Sequence, residues 1–106
     1  MSTKQTTVDF IVDQLSQTGR IGARKMFGEY GLYYNDKIVA LVCDDQLFVK
    51  PSLGNQKFAE RCTEAPPYPT AKNYLLVPEE LWEDRQWLGN FIKHTAASLP
   101  DTKKRR

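Results

Sequence analysis

The chain has 106 residues, 41% of them hydrophobic and 26% charged, with two cysteines and a formal net charge of +2. A chain of this size buries about 65% of the surface its unfolded form exposes and needs no disulfide to fold. The composition excludes disordered, collagen-like and disulfide-scaffold classes.

The charge is unevenly spread. Lys103, Lys104, Arg105 and Arg106 supply four of the fifteen basic residues, so residues 1–102 hold eleven basic against thirteen acidic side chains. A mildly acidic domain over 1–102 is therefore expected, followed by a basic, disordered tail over 103–106. Such a tail holds phosphate backbones by charge alone, although a short terminal charge run is more often a solvated end. No apolar signal core occurs at the N-terminus and no run approaches membrane-spanning length, which makes a cytoplasmic protein without membrane contact the expectation.

Val8, Ile11, Val12 and Leu15 recur at helical spacing, predicting an amphipathic helix that starts with Thr6 or Thr7 as its cap and stops at Gly19. The segment Ala23 to Tyr34 is too long and too glycine-marked for one uniform strand. Gly28 and Gly31 are read as structural glycines that bend it. The functional alternative is that they clear room for a small ligand between Arg24, Lys25 and Glu29.

Lys37 to Cys43 is rich in β-branched residues and bounded by Asn35-Asp36 and Asp44-Asp45, the pattern of a central strand between two tight hairpin turns. Arg24 to Pro51 thus reads as a three-stranded antiparallel meander. Two-residue turns pair Tyr33 with Ile38, Ala40 with Val49 and Val42 with Leu47, placing these six on one face. Tyr30, Leu32, Val39, Leu41 and Phe48 then fall on the other. Both faces are apolar, so cover on both sides is expected, from the chain's helices on one and from a partner subunit, a ligand or a folded-back loop on the second.

Ser52 leads into a short helix through Phe58 and Arg61. Pro66, Pro67 and Pro69 make the following connector stiff. Asn73 to Val77 reads as a fourth strand, and Pro78 is placed to open a last helix whose first turn carries Glu79, Glu80, Glu83 and Asp84, the charge that a helix N-terminus favours. Its buried stripe is Leu81, Leu88, Ile92, Thr95 and Leu99. The fold expected is α+β in the order α-β-β-β-α-β-α.

No catalytic constellation emerges. His94 has no nucleophile or carboxylate beside it in the sequence, and Ser52, Cys43 and Cys62 lack the context of activated nucleophiles. The cysteines form no CxxC pair, so no metal site is read, and no cofactor is called for.

Three motifs carry a family resemblance: Ala23 to Tyr33, Cys43 to Pro51, and Ala65 to Pro69 together with Tyr74 to Leu81. In this order they resemble the TfoX N-terminal domain family, also called Sxy. The resemblance implies a small bacterial α+β domain linked to natural competence, whose longer members act as transcriptional co-regulators with the cyclic-AMP receptor protein. Those members carry a second, C-terminal domain for which these residues leave no room, so the N-terminal module alone is expected.

The leading expectation is a non-enzymatic regulatory module that contacts another protein, transcription machinery by resemblance, or itself as a homodimer. The interaction surface expected comprises Arg24, Lys25, Glu29, Tyr30, Leu32, Leu41 and Phe48. Direct nucleic-acid binding through Arg20, Arg24, Lys25 and the tail Lys103 to Arg106 is the alternative. A small-molecule-binding domain is a third.

Overall fold

The computed structural model describes residues 3–26 and 29–99. The expected bend at Gly28 and the tail 103–106 lie outside the described residues. The protein is α+β: one six-stranded antiparallel sheet with helices at the start, middle and end of the chain.

Helix α1 (Gln5–Gln14) is followed by strands β1 (Ile21–Met26), β2 (Glu29–Tyr34), β3 (Lys37–Cys43) and β4 (Gln46–Val49), a continuous meander. A 3-10 turn (Leu53–Asn55) and the short helix α2 (Gln56–Ala59) lead to β5 (Thr63–Ala65). Strand β6 (Tyr74–Val77) then inserts between β4 and β5, and the sheet order is β1-β2-β3-β4-β6-β5. A second 3-10 turn (Glu79–Glu83) and helix α3 (Arg85–Ser98) complete the order. The sheet thus has two strands beyond the four expected, β1 and β5, one at each edge.

Both hairpin turns form as the sequence implies. Asn35, Asp36, Asp44 and Asp45 all take positive φ, between 48° and 71°, the conformation that two-residue turns need to match the twist of their strands. The pairs Tyr33–Ile38, Ala40–Val49 and Val42–Leu47 are all present.

They do not share a face. A bulge at Val39 shifts the β2–β3 register, so that Leu32 pairs with Ala40 and Tyr30 with Val42. The extra residue reverses the alternation on one side of the bulge. Tyr30, Leu32 and Val39 therefore join Ala40, Val42, Leu47 and Val49 in the core under α1 and α3, while Tyr33 and Ile38 move to the face of Leu41 and Phe48. The core is the inner face; the other is called outer below.

Val8, Ile11 and Leu15 of the first helical stripe are buried against that core, as are Leu88, Phe91 and Ile92 of α3. The start of α1 departs from expectation. Its cap position is Lys4, whose own side chain makes no capping bond, and the helix start is held from outside by Asp45. Asp45 Oδ1 accepts from the Lys4 N–H and from Thr7 Oγ1, both at 2.9 Å. A hairpin turn supplies the acceptor that the local sequence lacks.

The last helix also begins later than expected. Glu79 and Glu80 open a separate 3-10 turn, and α3 starts after Asp84, whose carboxylate accepts from the Trp87 N–H at 3.0 Å. Only Asp84 of the acidic group caps the long helix. Pro78 opens the 3-10 turn instead, and the chain between the two pieces turns so that Leu81 and Trp82 can bury against the sheet.

Candidate functional site

The outer face brings together part of the residues singled out by sequence. Register places Arg24, Gly31, Leu41, Phe48 and Leu76 in one file across five strands. Helices cover the inner face, and part of the outer face is covered by the proline-rich connector between β5 and β6. Pro67 is buried, and Tyr68 lines the same concavity as Leu41 and Ile38. Phe48 is only 3% exposed yet lies outside the main core cluster. A folded-back loop is thus one cover on this face.

The cover is incomplete. Between the connector and the β1–β2 end of the sheet lies a cleft of about 610 Å³, with Met26, Ile38 and Leu41 among its apolar lining and Tyr68 and Tyr74 as walls. A side chain at residue 31 would meet Met26 Sδ at 3.0 Å and Ile38 Cδ1 at 3.2 Å. Gly31 therefore lets those two side chains lie down across the strand. Cys43 also lines the cleft; burial, then Glu29 and Asp44, push its thiol up to about 11, which keeps it protonated and unreactive near neutral pH. Burial likewise raises Tyr74, followed by Tyr68 and Cys43, so its phenol is a neutral hydrogen-bonding group.

Among the described residues, two charged side chains line this cleft. Glu29 is engaged: Oε1 accepts from Thr3 Oγ1 at 2.6 Å and from the Asp44 N–H at 3.0 Å. The Lys50 ammonium has no hydrogen bond or ion pair to any described residue.

The second feature is the free edge. β1 ends the sheet order, and Gly22 to Lys25 are all exposed. The Asn35 N–H donates to the Arg20 carbonyl at 2.8 Å. By antiparallel alternation, Gly22, Arg24 and Met26 then bond to β2 while Ile21, Ala23 and Lys25 turn their N–H and C=O groups outward. The Arg24 guanidinium sits 5.3 Å from the Tyr33 ring centroid, and Arg20 pairs with Asp36 at 3.7 Å.

The expected interaction set is therefore divided. Arg24 and Lys25 lie on the edge strand, Glu29 and Leu41 line the cleft on the outer face, and Phe48 is buried on that same face. Tyr30 and Leu32, at 7% and 1% exposure, are in the core, with the Tyr30 hydroxyl donating to Gln5 of α1.

Chemistry-bearing residues elsewhere have structural partners. His94 Nδ1 is 2.7 Å from the Asn90 carbonyl and its ring packs on Phe58. Cys62 is half-buried, and burial pushes its thiol up to about 11. Among the described residues no group of three or more His, Cys, Asp or Glu side chains could hold a metal ion. No described helix is long and apolar enough to cross a membrane.

A family model, the TfoX N-terminal domain, matches residues 13–99. The chain belongs to the TfoX N-terminal domain family. It is 35% identical over its whole length to the "Uncharacterized 12.7 kDa protein in trpE 5′ region" of Spirochaeta aurantia, covering 91% of that protein. It is also 29% identical over 92 residues to "Protein Sxy" of Escherichia coli (strain K12), a match taking in 78% of this chain and 43% of Sxy. The TfoX model spans both features above, from the end of α1 through the edge strand and the cleft to α3.

Lys50, Tyr68, Tyr74, Met26 and Ile38 were not singled out by sequence reasoning. The alternation in Lys37–Cys43 carries a signal for Ile38 once the bulge is known. Nothing local identifies Tyr68, because the insertion of β6 between β4 and β5 decides where the connector lies.

Proposed function

We propose that residues 1–102 act as one non-enzymatic regulatory module that contacts another protein, as expected of a TfoX N-terminal domain working on transcription machinery in the bacterial cytoplasm. The observation that carries this reading is the open edge of β1, with exposed Arg24 and Lys25 and outward backbone groups at Ile21, Ala23 and Lys25. An extended segment can add there as a seventh strand, with main-chain bonds giving affinity and side chains giving choice.

The charge of the edge selects an acidic segment. Pairing β1 with a second copy of itself would bring the cations of two chains onto neighbouring strands, an arrangement that like-charge repulsion disfavours. Family membership supports a regulatory role, and kinship with Sxy supports a place beside transcription.

The test is affinity capture of the tagged protein from a bacterial lysate treated with nuclease, alongside an Arg24→Glu, Lys25→Glu variant. The reading expects a partner that survives nuclease and is lost with the charge reversal. Equal capture by both proteins, or no partner above a mock column, refutes it.

Direct nucleic-acid binding is the second reading, favoured by Arg20 and Arg24 lying with Tyr33 along one exposed groove. It expects affinity for labelled DNA or RNA that falls steeply with salt. Binding that is undetectable or indifferent to salt counts against it.

A further inference from the structure

We infer that the cleft on the outer face is a binding site for a small organic anion, a molecule with an apolar, aromatic or aliphatic body and a single carboxylate or sulfonate that pairs with Lys50. The outward main-chain groups of β1 are not involved, although Met26 of that strand lines the cleft, and ligand binding is independent of the partner contact proposed above.

Size is the first argument. At about 610 Å³ the cleft lies within the range of small-molecule sites, roughly 300–1,000 Å³. Among the described residues, strands β1, β2, β3 and β6 contribute to its lining, and the wall bearing Tyr68 is a connector whose φ angles are restricted at Pro66, Pro67 and Pro69. A preorganised wall lowers the ordering cost of holding a ligand.

Lining chemistry is the second. Met26, Ile38 and Leu41 offer apolar contact, and the rings of Tyr68 and Tyr74 offer stacking area. Tyr68 is 52% exposed, a large hydrophobic side chain held at the rim without a full set of neighbours. Such an arrangement favours a flat apolar body over a highly polar one.

Charge is the third and decides the class. Of the two charged residues in the described lining, Glu29 already accepts from Thr3 Oγ1 and from the Asp44 N–H. Lys50 has no partner among the described residues. Thr3 and the Asp44 N–H are neutral donors, so Glu29 keeps its charge but is held by the N-terminal segment and the β3–β4 turn; the charged group without a described partner is Lys50, and a ligand anion meeting it gains a charge-assisted hydrogen bond. A bare inorganic anion would leave the apolar lining unused.

The test is fluorescence titration of the native full chain with anilinonaphthalene sulfonate, and in parallel with phenylnaphthylamine, its uncharged counterpart. Near-ultraviolet circular dichroism checks that every protein used keeps its native packing. Saturable binding of one sulfonate probe per chain is expected, with amide shifts in a two-dimensional NMR spectrum centred on Leu41 and Tyr74. Lys50→Met should weaken the sulfonate by about tenfold or more, the scale of one charged hydrogen bond, and leave the uncharged probe within about twofold. Leu41→Gln should weaken both probes, and because Leu41 is only half-buried the variant should keep its fold.

Absence of saturable binding to the native protein overturns the proposal. So does equal loss of both probes in Lys50→Met, or NMR shifts centred away from the cleft. Sedimentation supplies the remaining outcome: a dimer that forms through this face and excludes the probe would make a second copy the occupant instead.

Discussion

Lys37 Nζ lies 2.8 Å from the carbonyl oxygen of Ala96, tying the start of β3 to the end of α3. A second bond reaches the Leu99 carbonyl at 3.0 Å. The last carbonyls of a helix lack regular intrahelical partners; the Ala96 carbonyl accepts a long bond of 3.3 Å from the Leu99 N–H, and α3 has no basic residue in its last turn. A lysine 59 positions earlier in the chain fills both needs, the hydrogen bonds and the positive charge that the C-terminal end of the macrodipole favours.

Lys37→Met keeps the aliphatic stem and removes the ammonium. It should destabilise the fold by about 1–2 kcal/mol, the scale of hydrogen bonds from a charged group that is partly exposed. Urea denaturation should show a lower midpoint at an unchanged slope. An unchanged midpoint would mean that water serves the two carbonyls equally well.

Asn55 should prove the costliest polar position. It is 1% exposed; its amide donates to the Lys50 carbonyl at 2.9 Å and to Thr95 Oγ1 at 2.7 Å, and its Oδ1 accepts from the Ser52 N–H at 3.0 Å. Asn55→Ala takes this partner from the Lys50 carbonyl and the Ser52 N–H, at the junction of β4, the first 3-10 turn and α3, and leaves Thr95 Oγ1 only its bond to the Phe91 carbonyl. A loss of about 2–4 kcal/mol is expected, since buried groups left unpaired cost their full desolvation. Thermal and urea melts of the variant are the measurement.

Asp45 carries a pH dependence of definite sign. Its carboxyl is held below the ordinary carboxylate value, first by the Lys4 backbone N–H and then by Thr7. A depressed folded-state pKa means that the contribution is fully present above the unfolded value of about 3.9 and is lost as pH falls through the lower folded value. The gap in urea midpoint between the parent and Asp45→Ala should therefore be constant from neutral pH to about pH 5 and close below about pH 4. A gap independent of pH would assign the effect to something other than the carboxylate.

Two glycines should respond oppositely to alanine. A Cβ at Gly54 would stand 2.8 Å from the His94 carbonyl oxygen, a backbone atom of α3 that cannot swing aside. Gly54→Ala should cost about 1–3 kcal/mol by overpacking. At Gly22, on the exposed edge, a Cβ meets nothing within 4 Å. Gly22→Ala should be neutral or mildly stabilising, by up to about 1 kcal/mol, through reduced freedom of the unfolded chain. Paired melting curves decide both.

What the sequence determined by itself was local: two turns of two residues, the strand pairs they dictate, the buried stripe of α1, and the motifs of the family. Turn chemistry acts over four residues and needs no tertiary partner. The tertiary structure decided which face each strand presents. The bulge at Val39 lets Tyr30 and Leu32 reach the core beneath α1, and no residue near it announces the shift. The break before Asp84, the extra strand β5 and the placement of Tyr68 beside Leu41 arise in the same way. Each is set by burial against elements distant in the chain, and the cleft beside Lys50 exists only once those elements have met.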